Sequence, residues 1–131
     1  MEYREFGKTK EKVSLIGMGT YYGINWIVLN FIKTENDYKR KIEALRKGIE
    51  LGINFIDTAE IYKTEGLISE VIKDYRRDDL FIASKVWPSH LKFKDVIKAC
   101  KNSLKRLKTK YIDLYQIHFP NIKIPIEETM K

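Results

Sequence analysis

The sequence predicts an α/β fold built on a parallel sheet, and three observations carry that expectation. Short segments rich in β-branched and aromatic residues alternate with longer stretches whose apolar residues recur at helical spacing. The later strand segments are nearly continuous apolar runs, as expected of strands covered on both faces. The chain of 131 residues is 44% apolar and 12% aromatic, enough to fill the core of about one ordinary domain. Its single cysteine excludes a disulfide scaffold or a cysteine-ligated zinc module and fits a reducing, cytoplasmic compartment. The longest apolar run, Trp26-Ile27-Val28-Leu29, is far short of the ~18 residues a membrane span requires, and the amino terminus opens with Glu2, Arg4 and Glu5 instead of an apolar leader.

The elements follow in order. Tyr3 to Phe6 and Val13 to Leu15 flank the polar turn Gly7-Lys8-Thr9-Lys10 and read as a small β-hairpin. Leu15-Ile16-Gly17-Met18-Gly19-Thr20 is a short strand ending in glycines. The periodicity of residues 21–33, rich in aromatic and β-branched side chains, does not decide their conformation, and they read as a loop that covers something. Thr34 and Asp37 resemble a capping box, and Ile42, Leu45 and Ile49 then lie on one stripe until Gly52, a helix of about 17 residues. Ile53 to Asp57 is a second strand. Leu67, Ile68, Val71, Ile72 and Tyr75 form the next helical stripe, ended by the charged turn Arg76 to Asp79. Leu80 to Trp87 is a third strand, closed by Pro88. Phe93, Val96, Ile97, Cys100, Leu104 and Leu107 form a third stripe. Ile112 to Phe119 is a fourth strand, stopped by Pro120, and Pro125-Ile126-Glu127-Glu128 opens another helix with nothing evident to bury it. Right-handed crossovers make the four strands parallel.

The net charge of +7 is local. Residues 1–65 carry 11 Lys/Arg against 10 Asp/Glu, and residues 66–131 carry 14 against 8. Eight basic residues between Lys92 and Lys110 face one acid, Asp95. This stretch lacks the interleaved aromatic or glycine-rich elements of a nucleic-acid reader, so it reads as the solvated face of the third helix.

In such a sheet the reacting groups sit where strands end and loops to the helices begin. Those ends are Gly19-Thr20, Asp57, Lys85 and His118, spaced by 38, 28 and 33 residues, about one strand-helix unit each. Each has an ordinary reading: Asp57 as a loop cap, Lys85 reaching to water, His118 as a satisfied core residue, and Tyr62 as a loop aromatic. Together they suggest chemistry. A lysine and a carboxylate on one rim can pair, the ammonium can favour the anion of a nearby phenol such as Tyr62, and a neutral imidazole can hold a carbonyl oxygen. That set suits proton delivery to a carbonyl oxygen during hydride transfer.

Gly52 through Tyr62 (GINFIDTAEIY), Ser84-Lys85, and Ser103 to Leu107 continuing through Asp113 to Pro120 together resemble the aldo-keto reductases, as does Leu15 to Thr20. The resemblance spans nearly the whole chain and implies the N-terminal half of a (β/α)8 TIM barrel, residues 1–131, ending at the start of the fourth barrel helix. It implies reduction of an aldehyde or ketone with NADPH. The family's catalytic tetrad falls on Asp57, Tyr62, Lys85 and His118, with Tyr62 the proton donor. Thr20 and Asp57 match positions beside the nicotinamide ribose, and Tyr21, Trp87 and Phe119 match aromatics of the substrate pocket. After the tyrosine the family usually carries a glycine and a longer turn, where this chain has Lys63-Thr64 directly before Glu65.

A complete barrel of this kind takes about 250 residues and eight strands. The later strands carry the family's remaining nicotinamide and adenosine-phosphate contacts. Four strands leave two open parallel edges, so the isolated chain is expected to be sticky or marginal. Two copies that close on each other, or a separately made C-terminal half, satisfy those edges; otherwise the chain is the surviving front of an interrupted gene with little activity. Against the reductase reading stands a non-catalytic scaffold that keeps the fold, and, more weakly, nucleic-acid binding through Lys92 to Lys110.

Overall fold

The structure, a computed structural model, describes residues 1–28 and 34–131. Strands β1 (Tyr3–Glu5) and β2 (Lys12–Ser14) pair antiparallel, Tyr3 opposite Ser14, as the expected hairpin. Strands β3 (Gly17–Gly19), β4 (Phe55–Asp57), β5 (Phe81–Val86) and β6 (Leu114–Ile117) form one parallel sheet in that order. Gly19, Asp57, Ala83 and Leu114 share one level across it. The crossovers contain helices α2 (Glu35–Glu50), α3 (Glu65–Ile72) and α4 (Phe93–Leu107), so strands and helices alternate as predicted. Among the described residues, β3 and β6 each have one neighbour in the sheet. Among those residues too, no helix is long and apolar enough to cross a membrane.

The ladders are shorter than the apolar runs because residues at the strand starts hold the hairpin instead. Asn54 accepts the Ser14 N–H through Oδ1 at 2.7 Å and donates through Nδ2 to the Lys12 carbonyl at 2.8 Å. Successive side chains then face opposite sides. Ile56 and Ile82 point outward into a core shared with Leu45, Leu67, Ile68 and Val71 of the helices. Phe55 and Phe81 point inward, where Phe6 of the β1–β2 turn packs on both rings at centroid distances of 6.4 and 4.9 Å. The hairpin thus closes the floor of the inner face, and the β5 side chains on that face run from aromatic Phe81 through Ala83 to charged Lys85.

Helix α2 begins as expected: Thr34 Oγ1 accepts the Asp37 N–H at 3.1 Å and donates to the Asp37 carboxylate at 2.8 Å. Gly48 faces the sheet so closely that an added Cβ would stand 2.1 Å from the Met18 sulfur. Gly52, at φ +91°, turns the chain out of the helix. The second predicted stripe is buried from Leu67 to Ile72, but α3 ends at Ile72, and Tyr75 packs on the core from beyond it.

Four expectations are corrected. Residues 21–33 are not simply a loop: Ile24–Val28 form the short helix α1, anchored by buried Trp26 against the Tyr22 ring, while residues 29–33 lie outside the described set. Helix α4 buries Ala99, Ser103 and Leu107, an i, i+4, i+8 row whose small members let it lie close over the sheet, and this leaves Phe93 and Ile97 exposed. Its basic face is exposed but not wholly given to solvent. Arg106 Nε donates to the buried Glu65 carboxylate at 2.5 Å, and Lys108 Nζ donates to Glu70 at 2.9 Å, drawing α4 onto α3. The closing helix α5 (Ile126–Thr129) is held, because Thr129 is buried and its hydroxyl donates to the Leu91 carbonyl at 2.8 Å.

Arg77 ties the lower ends of β5 and β6. It donates to the Leu80 carbonyl at 2.6 Å and to the Tyr111 carbonyl at 3.1 Å, and it pairs with Asp113, whose carboxylate also takes the Ile82 N–H at 2.8 Å. Both side chains are largely buried, so Asp113→Ala strands a cation there and is expected to cost about 3 kcal/mol in chemical denaturation. Lys63, which follows the turn Glu60–Tyr62, sits at φ +58°, the left-handed region where a Cβ is disfavoured. Lys63→Gly is expected to stabilise by about 0.5 kcal/mol, the relieved backbone strain of ~1–2 kcal/mol exceeding glycine's extra chain entropy.

Candidate active site

Asp57 closes β4, and Lys85 lies two residues past the shared level in β5, with both side chains on the inner face. Lys85 Nζ donates to both Asp57 oxygens, at 2.6 and 2.7 Å, and to the Thr58 carbonyl at 2.9 Å. All three ammonium hydrogens are therefore committed. Lys85 is paired and does not reach for water, its side chain being 15% exposed against 35% for Asp57. Nor does the Asp57 carboxylate cap its loop. That task falls to three fully buried hydroxyls: Thr64 Oγ1 lies 3.0 Å from those of Thr58 and Thr20, and Thr20 donates on to the Asp57 carbonyl at 3.0 Å.

This chain of hydroxyls binds together the segments on either side of Tyr62. The Tyr62 ring centroid lies 5.1 Å from the Lys85 ammonium, 5.4 Å edge-on from the His118 ring and 5.3 Å from the Tyr21 ring. His118 follows β6, with its N–H on the Val86 carbonyl at 3.1 Å. Its ring stands edge-on to Trp87 at 5.4 Å and stacks on Phe119 at 4.7 Å. Burial holds the His118 imidazole below its usual pKa, the Lys85 charge lowers it further, and Asp57 opposes. Among the described residues, nothing hydrogen-bonds to its buried Nδ1. The ring is neutral at pH 7.

The structure brings seven of the expected residues around one cleft of about 570 Å³: Tyr21, Tyr62, Trp87, His118 and Phe119 line it, and the Lys85–Asp57 pair stands beside Tyr62. Helix α1 supplies the opposite wall through Ile24 and Ile27, which the sequence reading did not assign. The i, i+3, i+4 spacing of Ile24, Ile27 and Val28 was the available signal, in a window too short for a period to register. Thr20 is apart from the cleft. It is 0% exposed with its hydroxyl engaged on two sides, so in this conformation it offers no surface to a ribose. Of the two expected cofactor positions only Asp57 presents surface.

The profile of the Aldo/keto reductase family matches residues 15–131. The chain is 36% identical to a methylglyoxal reductase of Escherichia coli (strain K12), over 88% of this chain and 38% of that protein. It superposes on a thermostable aldo-keto reductase crystallised with the inhibitor epalrestat at a TM-score of 0.86 and 45% identity, over 98% of this chain and 47% of that one. It superposes on an aldo-keto reductase from Klebsiella pneumoniae in complex with NADPH at a TM-score of 0.78 and 35% identity, over 92% of this chain and 40% of that one. The chain thus spans about two fifths of the length of the curated relatives it matches. Its fold is that of the first half of their (β/α)8 barrel, four parallel strands and their helices with a hairpin under the floor. By profile, identity and superposition, the chain belongs to the aldo/keto reductase family.

Proposed function

We propose that the chain carries the proton-delivering part of an NADPH-dependent carbonyl reductase, with Tyr62 as proton donor to the oxygen of a small aldehyde or ketone. The observation that carries this reading is the convergence of the Tyr62 ring, the His118 ring and the Lys85 ammonium beside one apolar cleft. His118, neutral, is suited to hold the carbonyl oxygen by a hydrogen bond while its own charge stays out of the site. Lys85 has no hydrogen left to give, so it acts on Tyr62 through its field, stabilising the charge left on the phenol oxygen once the proton has gone. Asp57 holds the ammonium in place. Tyr21, Trp87 and Phe119 exclude water from the carbonyl and give an organic substrate its apolar contact. Bound NADPH supplies the hydride. Asp57 is the residue here with surface to meet its ribose, and the methylglyoxal reductase relative makes small dicarbonyls the first substrates to try.

One observation favours a second reading, a non-catalytic scaffold: Thr20 offers a cofactor no surface. NADPH binding without turnover, or neither, would favour it.

Reduction of methylglyoxal or benzaldehyde, followed by the loss of NADPH absorbance, is expected to fall by about 10²- to 10⁴-fold in Tyr62→Phe, the usual worth of a general acid. Unchanged turnover in that variant, or none in the parent chain, sinks the reading. A second expectation concerns His118. Its folded value lies below 6.5, so on acidification the unfolded chain takes the proton first, and this residue's contribution to stability is full above about pH 6.5 and declines below it. Lys85→Met removes a lowering charge and leaves Asp57, which raises, so the His118 midpoint is expected to move up. Proton NMR titration reads it directly, since the chain has two histidines.

A further inference from the structure

Glu60 has no place in the chemistry above, yet its carboxylate is among the most heavily engaged in the molecule. It opens the turn that ends at Tyr62, and its side chain is 16% exposed. One oxygen, Oε2, accepts the backbone N–H of Trp87 at 3.0 Å; the other, Oε1, lies 2.8 Å from Nδ1 of His90. These two partners are the ends of the 3₁₀ turn after β5, which His90 N–H closes on the Trp87 carbonyl at 2.9 Å. Asn121, just past Phe119, grips the same turn from the far side by donating to the Pro88 carbonyl at 2.9 Å. The three loops that bear Tyr62, Trp87 and His118 are thereby fastened to one another, and the Trp87 ring is left edge-on to His118.

We propose that Glu60 is a positioning residue of the cleft, fixing the Trp87 wall relative to Tyr62 and His118 through the Trp87 N–H and His90. The inference rests on the reading of this cleft as the carbonyl site. A charged acceptor holds a backbone donor more firmly than a neutral one, and the His90 ring packs against the same carboxylate. A separate pocket of about 250 Å³, lined by Glu60, His90, Asp95, Lys98 and Asn102, opens beside the carboxylate, and water can enter where it is removed.

The test compares Glu60→Ala, Glu60→Gln and His90→Ala in the full chain, reading amide exchange at Trp87 by NMR together with KM and kcat for benzaldehyde with NADPH. In Glu60→Ala, exchange at Trp87 is expected to accelerate at least about 10-fold, the worth of one charge-assisted hydrogen bond. KM is expected to rise by about 10-fold while kcat stays within about 3-fold, because Tyr62 and His118 are untouched. Glu60→Gln keeps an oxygen for the Trp87 N–H and is expected to restore most of both. His90→Ala, at a half-exposed position, is expected to accelerate exchange by about 3-fold, since one anchor of the turn survives. Unchanged exchange at Trp87 in Glu60→Ala overturns the proposal, as does a Gln variant as impaired as the Ala variant. Should Glu60→Ala fail to fold, unchanged exchange in His90→Ala overturns it instead. Absence of turnover in the parent chain bears on the reductase reading alone, because the exchange measurement needs no substrate.

Discussion

The rim of this half barrel depends on a single ion pair. Lys85 and Asp57 stand on the inner face of a sheet whose lower layer is Phe55 and Phe81 under Phe6, a setting in which either charge alone would be costly. The pair is workable because it is saturated: both carboxylate oxygens and the Thr58 carbonyl take the three ammonium hydrogens. That saturation ties Lys85, two residues past the shared level in β5, back to Asp57 at that level in β4. It also decides how the pair can influence its neighbours. With no hydrogen to spare, Lys85 reaches Tyr62 and His118 through space, adding to the burial that chiefly lowers the His118 imidazole.

Around this pair the loops are tied by polar groups that carry no net charge into the cleft. The buried hydroxyls of Thr20, Thr58 and Thr64 join the loops after β3 and β4 beneath Tyr62. Glu60 and Asn121 join the loops after β4, β5 and β6 around the Trp87 turn. The cleft wall itself is apolar and aromatic. A cleft arranged this way keeps its ionic interactions behind the apolar wall, where a low local dielectric strengthens them.

Much of this was legible in the sequence, for reasons that differ by element. The parallel order β3-β4-β5-β6 followed from apolar runs alternating with striped helices, because local periodicity reports burial directly. The rim residues could be located because a charge at the end of an apolar strand is conspicuous. Their pairing was foreseen as an option, but its saturation was not, since it depends on a backbone carbonyl at Thr58 that no pattern marks. Helix α4 was misread at Phe93 and Ile97 because its buried row is made of Ala99 and Ser103, small residues that close packing selects and hydropathy overlooks. Arg106 looked like surface charge because its partner, Glu65, lies 41 residues away on another helix. Helix α1 was too short for a period, and its place was fixed by Trp26 entering a core assembled from distant segments.

The geometry also separates two tasks that a complete barrel combines. Tyr62, Lys85, Asp57 and His118 are placed by contacts made wholly within this chain: the ladder of β4, β5 and β6, the threonine hydroxyls and the Glu60 clamp. Cofactor contact is a different matter, for Thr20 has been spent on holding the loop and only Asp57 faces outward. Among the described residues, β3 and β6 are the outer strands of the sheet and flank the two central strands that carry Asp57 and Lys85. Loss of the Lys85–Asp57 pair would therefore disturb the packing around Tyr62 and His118 at its centre.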